Sequence, residues 1–273
     1  MMDSIASFFD SYGEREWERL ERTAYGRLIF NCHMWFLEND IGPGRRVLDA
    51  GCGSGRFALP AALSGSDVTL LDISQTQLDI AEQKLYENNC TGKFVAASIT
   101  DMSIFPDDTF DTVICYGAVL NYLRHSLINA LRELRRVLRP SGALLISVNS
   151  RYGMLRSAAA SPPMPLSDLF GDPDRWGIRE IADTGDENMP IDSSHPPRHF
   201  FTASELTALL QETKFREITL GAAPAAMSGL KRQMEEIARN QKAWETVLYT
   251  ENCLYKTPHI ADCGDYILAR ATK

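Results

Sequence analysis

The chain reads as an α/β protein: a doubly wound, mostly parallel seven-stranded sheet with an N-terminal helical segment and a lid insertion. Three observations predict this. Short apolar runs alternate with helical patterns between residues 47 and 149, the rhythm of a parallel sheet covered by helices on both faces. The run Arg46-Val47-Leu48-Asp49-Ala50 stops at glycines 51, 53 and 55, after which a helical pattern begins. A second run, Val68–Asp72, closes on an acid 19 positions beyond Gly53.

Taken in order, residues 1–40 form an N-terminal helical cap, because Trp17, Leu20, Ala24, Leu28 and Phe36 recur near helical spacing among Glu14, Glu16, Arg19 and Glu21. Residues 41–149 form the core. Its strands are Val47–Ala50, Val68–Asp72, Phe94–Ala97, Asp111–Cys115 and Ala143–Asn149, the last entered through a turn at Pro140-Ser141-Gly142. Its helices are Phe57–Ser64, a helix capped by Ser74 or Thr76 and running to about Asn88, and one from about Ser126 to Leu138. Residues 150–200 carry seven prolines, Pro162, Pro163, Pro165, Pro173, Pro190, Pro196 and Pro197, and little periodicity. A structureless stretch of this length predicts a lid over a substrate.

Residues 201–273 return to the core. A helix spans Ala203–Thr213, capped by Thr202 with Glu205 placed to complete a capping box. A strand follows at Phe215–Leu220. One long helix, about 225–250, buries the face of Met227, Leu230, Met234, Ile237, Gln241, Trp244 and Leu248, and Asp265–Ala271 is the final strand.

Composition narrows the function. With 44% hydrophobic and 23% charged residues the chain is ordinary for a folded protein. A net charge of −8 argues against a broad nucleic-acid footprint. The six cysteines, at 32, 52, 90, 115, 253 and 263, form no CxxC pair and no zinc spacing, which predicts free thiols in a reducing compartment and no metal centre. No basic region followed by an apolar block stands near residue 1, and no apolar run is long enough to span a bilayer. The expectation is a cytoplasmic protein with no membrane partner.

The glycine turn lets a ligand approach bare backbone at a helix N-terminus. A dinucleotide fingerprint would place its third glycine at 56, where this chain has Arg56, so the turn favours a nucleoside cofactor over a pyrophosphate one. Four blocks in fixed order then resemble the class I S-adenosylmethionine-dependent methyltransferases. They are Val47 to Gly55; Leu71-Asp72-Ile73-Ser74; Phe105 to Ile114; and Leu134 to Gly142. The resemblance is close over 44–149 and looser over 199–221. It implies a Rossmann-like methyltransferase fold, S-adenosyl-L-methionine as cofactor and methyl transfer as the activity.

Site residues follow from that resemblance. Asp72 accepts the ribose hydroxyls, Gly51, Cys52 and Gly53 lie against the methionine part, and Asp49 orients the loop or accepts from the cofactor's ammonium. Ile73, Ser98 and Ile99 surround adenine; Ser98 stands where the family usually has an aspartate, and Asp101 is the alternative acceptor. Cys115, Tyr116 and Gly117 run beneath the sulfonium, with packing the simpler role for the thiols of Cys52 and Cys115. The lead helix with Tyr12 and Glu16 to Leu20 is similar to one that encloses the methionine carboxylate. Arg19 is the candidate for its salt bridge, a solvated arginine the alternative.

For the acceptor side the catalytic candidates are His199, where the lid returns to the sheet, together with Tyr116 and Asn121. Tyr122 and His195 are lesser candidates, and His33 and His125 are read as structural. The expected function is O- or N-methylation of a small-molecule acceptor. The alternatives are a wobble-uridine tRNA methyltransferase and a non-catalytic cofactor-binding protein. The former is suggested by Cys253, Pro258 and the strand Asp265 to Arg270. The arginines at 132, 135, 136 and 139 are clustered, with a solvated helix face as their simpler role.

Overall fold

Strand alternation decides the two sides of the sheet. Val47, Leu70, Ile114 and Leu145 face one core layer, while Leu48, Leu71, Val113 and Leu144 face the other. In the computed structural model, which describes residues 2–160, 164–175, 177–188 and 195–273, nine strands are present. They are β1 (Arg46–Ala50), β2 (Asp67–Asp72), β3 (Lys93–Ala96), β4 (Phe110–Cys115), β5 (Leu138–Asn149), β6 (Asp186–Glu187), β7 (Arg198–His199), β8 (Arg216–Ala223) and β9 (Tyr266–Thr272). Seven of them form one sheet in the order β3-β2-β1-β4-β5-β9-β8, and β6 and β7 pair as a separate antiparallel hairpin. The first five are parallel, in register Val47↔Val68 and Val47↔Thr112, and β9 is antiparallel to both of its neighbours.

The chain winds outward from β1 to β3, then returns to β4 on the other side of β1. The crevice above β1 and β4 is therefore the switch point at which open α/β sheets take ligands. Helices α4 (Ala58–Leu63) and α5 (Gln75–Glu87) cover one face. Helices α6 (Leu127–Val137) and α10 (Ala203–Glu212) cover the other. Leu127, Ala130, Leu131, Leu134 and Val137 of α6 are buried at steps of three or four, each leucine stabilising the layer by about 1.5–3 kcal/mol. Ser74 caps α5 and Thr202 caps α10, the latter through a complete capping box with Glu205.

The N-terminal cap is three helices rather than one: α1 (Met2–Tyr12), α2 (Arg15–Glu18) and α3 (Ala24–Leu37). Gly13, at φ +55°, ends the first, and Thr23 starts the third by accepting from the Gly26 N–H. The long helix expected near 225–250 is also divided, into α11 (Lys231–Ile237) and α12 (Gln241–Leu254). The buried Glu251 accepts the backbone N–H groups of Ala225, Ala226 and Met227, which holds that segment out of a helix, and Asn240 caps α12. Met234 and Val247 are buried as an inward face requires, whereas Gln241 is exposed.

Two further expectations are corrected. Pro140-Ser141-Gly142 does not precede β5 but lies inside it: Leu138 already pairs with Phe110, and the register shifts before Thr112↔Ala143, with Ser141 at φ +63°. The insertion is not structureless either. It holds α7 (Arg151–Ala160), α8 (Leu166–Gly171) and α9 (Ile178–Thr184) besides the β6–β7 hairpin. The buried residues of α7 are Gly153 and Ala158, too small to leave an apolar stripe in the sequence. Pro162, Pro163 and Pro190 lie outside the described residues. Among the described residues no helix is long and apolar enough to cross a membrane.

Candidate active site

The turn after β1 is built for close approach. Gly51 and Cys52 donate their N–H groups to the Leu71 carbonyl at 2.7 and 3.0 Å, which ties the turn to the end of β2. Gly51 and Gly53 sit at φ +76° and +50°, where a side chain is strained. A Cβ on Gly51 would lie 2.6 Å from Val119. One on Gly53 would enter the crevice, 3.2 Å from the Cγ of Glu16.

Asp72 closes β2 beside this turn and is 8% exposed. Its Oδ2 accepts from the Gly53 N–H at 2.8 Å and its Oδ1 from the Ser74 N–H at 2.9 Å. Each carboxylate oxygen retains acceptor capacity, because an ionised carboxylate offers about four lone-pair sites. Burial pushes the Asp72 pKa up to about 6 against those two donors. Asp49, buried one strand away, is pushed up to about 7 by burial and by the Asp72 charge, against a bond from the Ala58 N–H. Its Oδ2 has no partner among the described residues.

These groups line one cavity. Gly51, Cys52 and Gly53 form its floor, with Asp49 and Asp72 beside them. Ile73, Ala97, Ser98 and Ile99 form one end, and Tyr116, Gly117, Val119 and Tyr122 the other. The N-terminal cap closes it from above with Ile5, Phe9, Glu16, Arg19 and Leu20. The cap is docked by Gln77, whose amide donates to the Phe9 and Gly13 carbonyls, and by Arg56, whose guanidinium lies 4.5 and 4.6 Å from the ring centroids of Trp17 and Phe30. Arg19 is partly buried rather than free in solvent. It pairs with Glu16 at 2.6 Å and donates to the Tyr266 hydroxyl at 3.1 Å.

Several candidates are placed elsewhere. Tyr12 does not line the cavity: α1 turns Ile5 and Phe9 inward at i, i+4, while Tyr12 stacks on Phe8 and carries the Arg15 guanidinium. Cys115 points to the opposite core layer, packing with Leu48 and Ala50, because strand alternation sends its neighbour Tyr116 to the other side. Asp101 is an exposed turn residue accepting from the Ser103 N–H. Ser98 bonds Thr100 through its hydroxyl at 2.8 Å.

On the acceptor side, His199 is clamped. Its Nδ1 meets Asp186 at 2.8 Å and its Nε2 meets Glu205 at 2.7 Å. Burial alone would lower its pKa, but these two carboxylates outweigh burial and raise it, and the ring does not line the cavity above the glycine turn. Asn121 is a buried brace, donating to the His199 carbonyl at 2.6 Å and accepting from the Asn149 N–H at 3.1 Å. Tyr116 and Tyr122 do face the cavity. Burial raises both phenols, so each remains a neutral donor. His195 packs on the Phe8 ring, and His125 is exposed. His33 is buried among Phe57, Tyr116 and Tyr266, bonded to the Ile29 carbonyl, with its pKa lowered to about 4 by burial.

Among the lining residues to which the sequence assigned no role are Ile5, Phe9, Glu16 and Val119. The i, i+4 spacing of Ile5 and Phe9 was the available signal. Glu16 left none beyond its place in the lead helix.

A sheet of this order, with a bare-backbone turn and an acid facing one cavity at the switch point, defines an α/β protein built to hold a nucleoside cofactor. Residues 47–142 match the family model described as a methyltransferase domain. Over that stretch the chain carries a methyltransferase domain of the class I S-adenosylmethionine-dependent kind. It is 32% identical over 170 residues to a demethylmenaquinone methyltransferase of Clavibacter sepedonicus, covering 61% of this chain and 59% of that one. It is 35% identical over 121 residues to a malonyl-(acyl-carrier protein) O-methyltransferase of Serratia marcescens, covering 41% and 45%. The chain thus spans about half the length of the curated relatives it matches. A solved S-adenosylmethionine-dependent methyltransferase from Mesorhizobium loti shares the fold, with a TM-score of 0.55 at 18% identity over 86% of this chain and 93% of that one.

Proposed function

We propose that this protein transfers a methyl group from S-adenosylmethionine to the oxygen or nitrogen of a small-molecule acceptor. One observation carries the reading. Asp72, the glycine turn and Arg19 line a single capped cavity, and Arg19 and Leu20 also line a second, adjoining space. That second space reaches Asn149 at the end of β5 and Tyr266 at the start of β9, on the side where such sheets take substrates.

The residues present fit the cofactor. Asp72 would accept both ribose hydroxyls with its remaining lone pairs. Gly51 and Gly53 would let the amino-acid part lie on bare backbone, and the orphaned oxygen of Asp49 would face its ammonium. Ile73, Ser98 and Ile99 would enclose the base. When bound, the cofactor supplies a methyl on an already activated sulfonium. The protein's task is then mainly to hold the acceptor in line, which contributes about 7–11 kcal/mol. His199, with both ring nitrogens taken by Asp186 and Glu205, is not assigned as a base. Tyr116 and Tyr122 would orient the acceptor as hydrogen-bond donors.

The names of the two curated relatives support a small or carrier-borne acceptor. The tRNA alternative draws little support from the arginines of α6 and the start of β5: Arg136 is spent on Glu133 and Asp107, Arg139 on Asp111 and Arg135 on the Lys214 carbonyl, which leaves Arg132 exposed. The test is calorimetric titration with S-adenosylhomocysteine, followed by transfer of labelled methyl to a deproteinised small-molecule extract and, in parallel, to bulk tRNA. Binding with label in the small-molecule extract is expected. Absence of binding, or label in tRNA alone, would overturn the reading.

A further inference from the structure

The cap brings an ion pair into the cofactor cavity. Glu16 and Arg19 both line it, their side chains 17% and 26% exposed, and the Glu16 Oε1 lies 2.6 Å from Arg19 Nη2. Glu16 lies over the glycine turn, its Cγ 3.2 Å from where a Cβ on Gly53 would be. Arg19 reaches the turn after β4, its Nη2 3.6 Å from where a Cβ on Gly117 would be. The pair therefore occupies the part of the cavity between the turn after β1 and the turn after β4. A carboxylate and a guanidinium side by side match the opposite charges of an α-amino acid zwitterion, to which both would form charge-assisted hydrogen bonds.

Resting on the reading of this cavity as the S-adenosylmethionine site, we infer that Glu16 is a cofactor-binding residue and that the ligand's zwitterion exchanges with the Glu16–Arg19 pair. One internal ion pair opens and two form: the methionine ammonium donates to Glu16 while the methionine carboxylate accepts from Arg19. Tyr266, whose hydroxyl already accepts from Arg19 Nη1, keeps the guanidinium in place during the exchange. The exchange makes cap closure depend on the amino-acid part of the ligand and not on the nucleoside.

The test uses two probes, S-adenosylhomocysteine and 5′-methylthioadenosine, which share the nucleoside and differ in the amino-acid group. In Glu16→Gln, binding of S-adenosylhomocysteine should weaken by about tenfold or more, while binding of methylthioadenosine changes less than about twofold. Glu16→Asp, which keeps the charge, should recover part of the loss, and thermal melts of both variants confirm that they fold. If Glu16 merely competes for Arg19, Glu16→Gln binds S-adenosylhomocysteine more tightly, and the inference fails. Equal weakening for both probes overturns it as well. Wild-type protein that binds neither probe sinks the cofactor assignment itself, a result distinct from either failure.

Discussion

Asp72→Asn is the sharpest perturbation of the proposed site, because it removes a charge and almost no volume. The side chain sits between two backbone donors, the N–H groups of Gly53 and Ser74 at 2.8 and 2.9 Å, and would receive two ribose hydroxyls. A hydrogen bond to a charged acceptor is worth about 1.5–3 kcal/mol and a neutral one about 0.5–1.5, so each ribose bond loses about 1–1.5 kcal/mol. Two bonds give about 2–3 kcal/mol, a loss of about 30- to 150-fold in affinity for S-adenosylhomocysteine. The carboxamide can also satisfy only one of the two N–H groups, leaving the other to face an NH₂. The pH profile identifies the group. Burial pushes Asp72 up to about 6, so wild-type affinity should fall as pH drops through that value and the carboxylate takes a proton. Asp49 titrates nearby, at about 7, so the difference between wild-type and variant profiles isolates Asp72. For the ligand-free protein the sign is opposite. A carboxyl raised on folding favours the protonated folded state, so stability is lost as pH rises through about 6, and Asp72→Asn removes that loss. Calorimetric titrations from pH 5 to about 8 decide the matter. Unchanged affinity at the upper end, or the same profile in both proteins, would refute the ribose assignment.

Three further outcomes are expected. Gly53→Ala forces a side chain to φ +50° and into the cavity toward Glu16, so it should weaken binding of S-adenosylhomocysteine far more than it lowers Tm; equal losses would place the ligand elsewhere. His199→Gln should loosen the β6–β7 hairpin, read by hydrogen exchange at Asp186–Glu187 and Arg198–His199. In wild type the clamp by Asp186 and Glu205 is full below the ordinary histidine pKa and lost as pH rises through the raised one, so protection should fall on the alkaline side; a flat profile contradicts this. Gly153→Ala would put a Cβ 2.0 Å from the Gly264 carbonyl oxygen, a backbone contact that α7 can relieve only by shifting, at about 1–3 kcal/mol. A melt indistinguishable from wild type would show that α7 does not pack there.

The basic features of α6 illustrate how sequence and structure divide. Its three arginines and Arg139 just beyond it were legible as a cluster and the amphipathic helix as a sheet cover, yet that Arg136 meets Glu133 and Asp107, and Arg139 meets Asp111, came only with packing. His199 shows the same limit from the opposite direction. Its position at the lid's return to the sheet suggested a free base, and no local pattern announced that Asp186, 13 residues away, would share the ring with Glu205. The long helix failed for a related reason: its periodicity ran on through Ala225, but Glu251 takes the backbone donors there from 24 to 26 residues away.

What the residues determined alone was the alternation that sorts Val47 from Leu48, the glycines that need positive φ, the caps at Ser74 and Thr202, and the acid that closes β2. Each depends on neighbours within a few positions, where backbone sterics and hydrogen-bond reach are settled locally. The tertiary structure decided the rest: the cap over the cavity, the Glu16–Arg19 pair facing the turn at Gly53, and the inward choice of Phe9 over Tyr12. Those depend on how helices dock on a finished sheet, and docking is set by shape and charge summed over residues far apart in the chain.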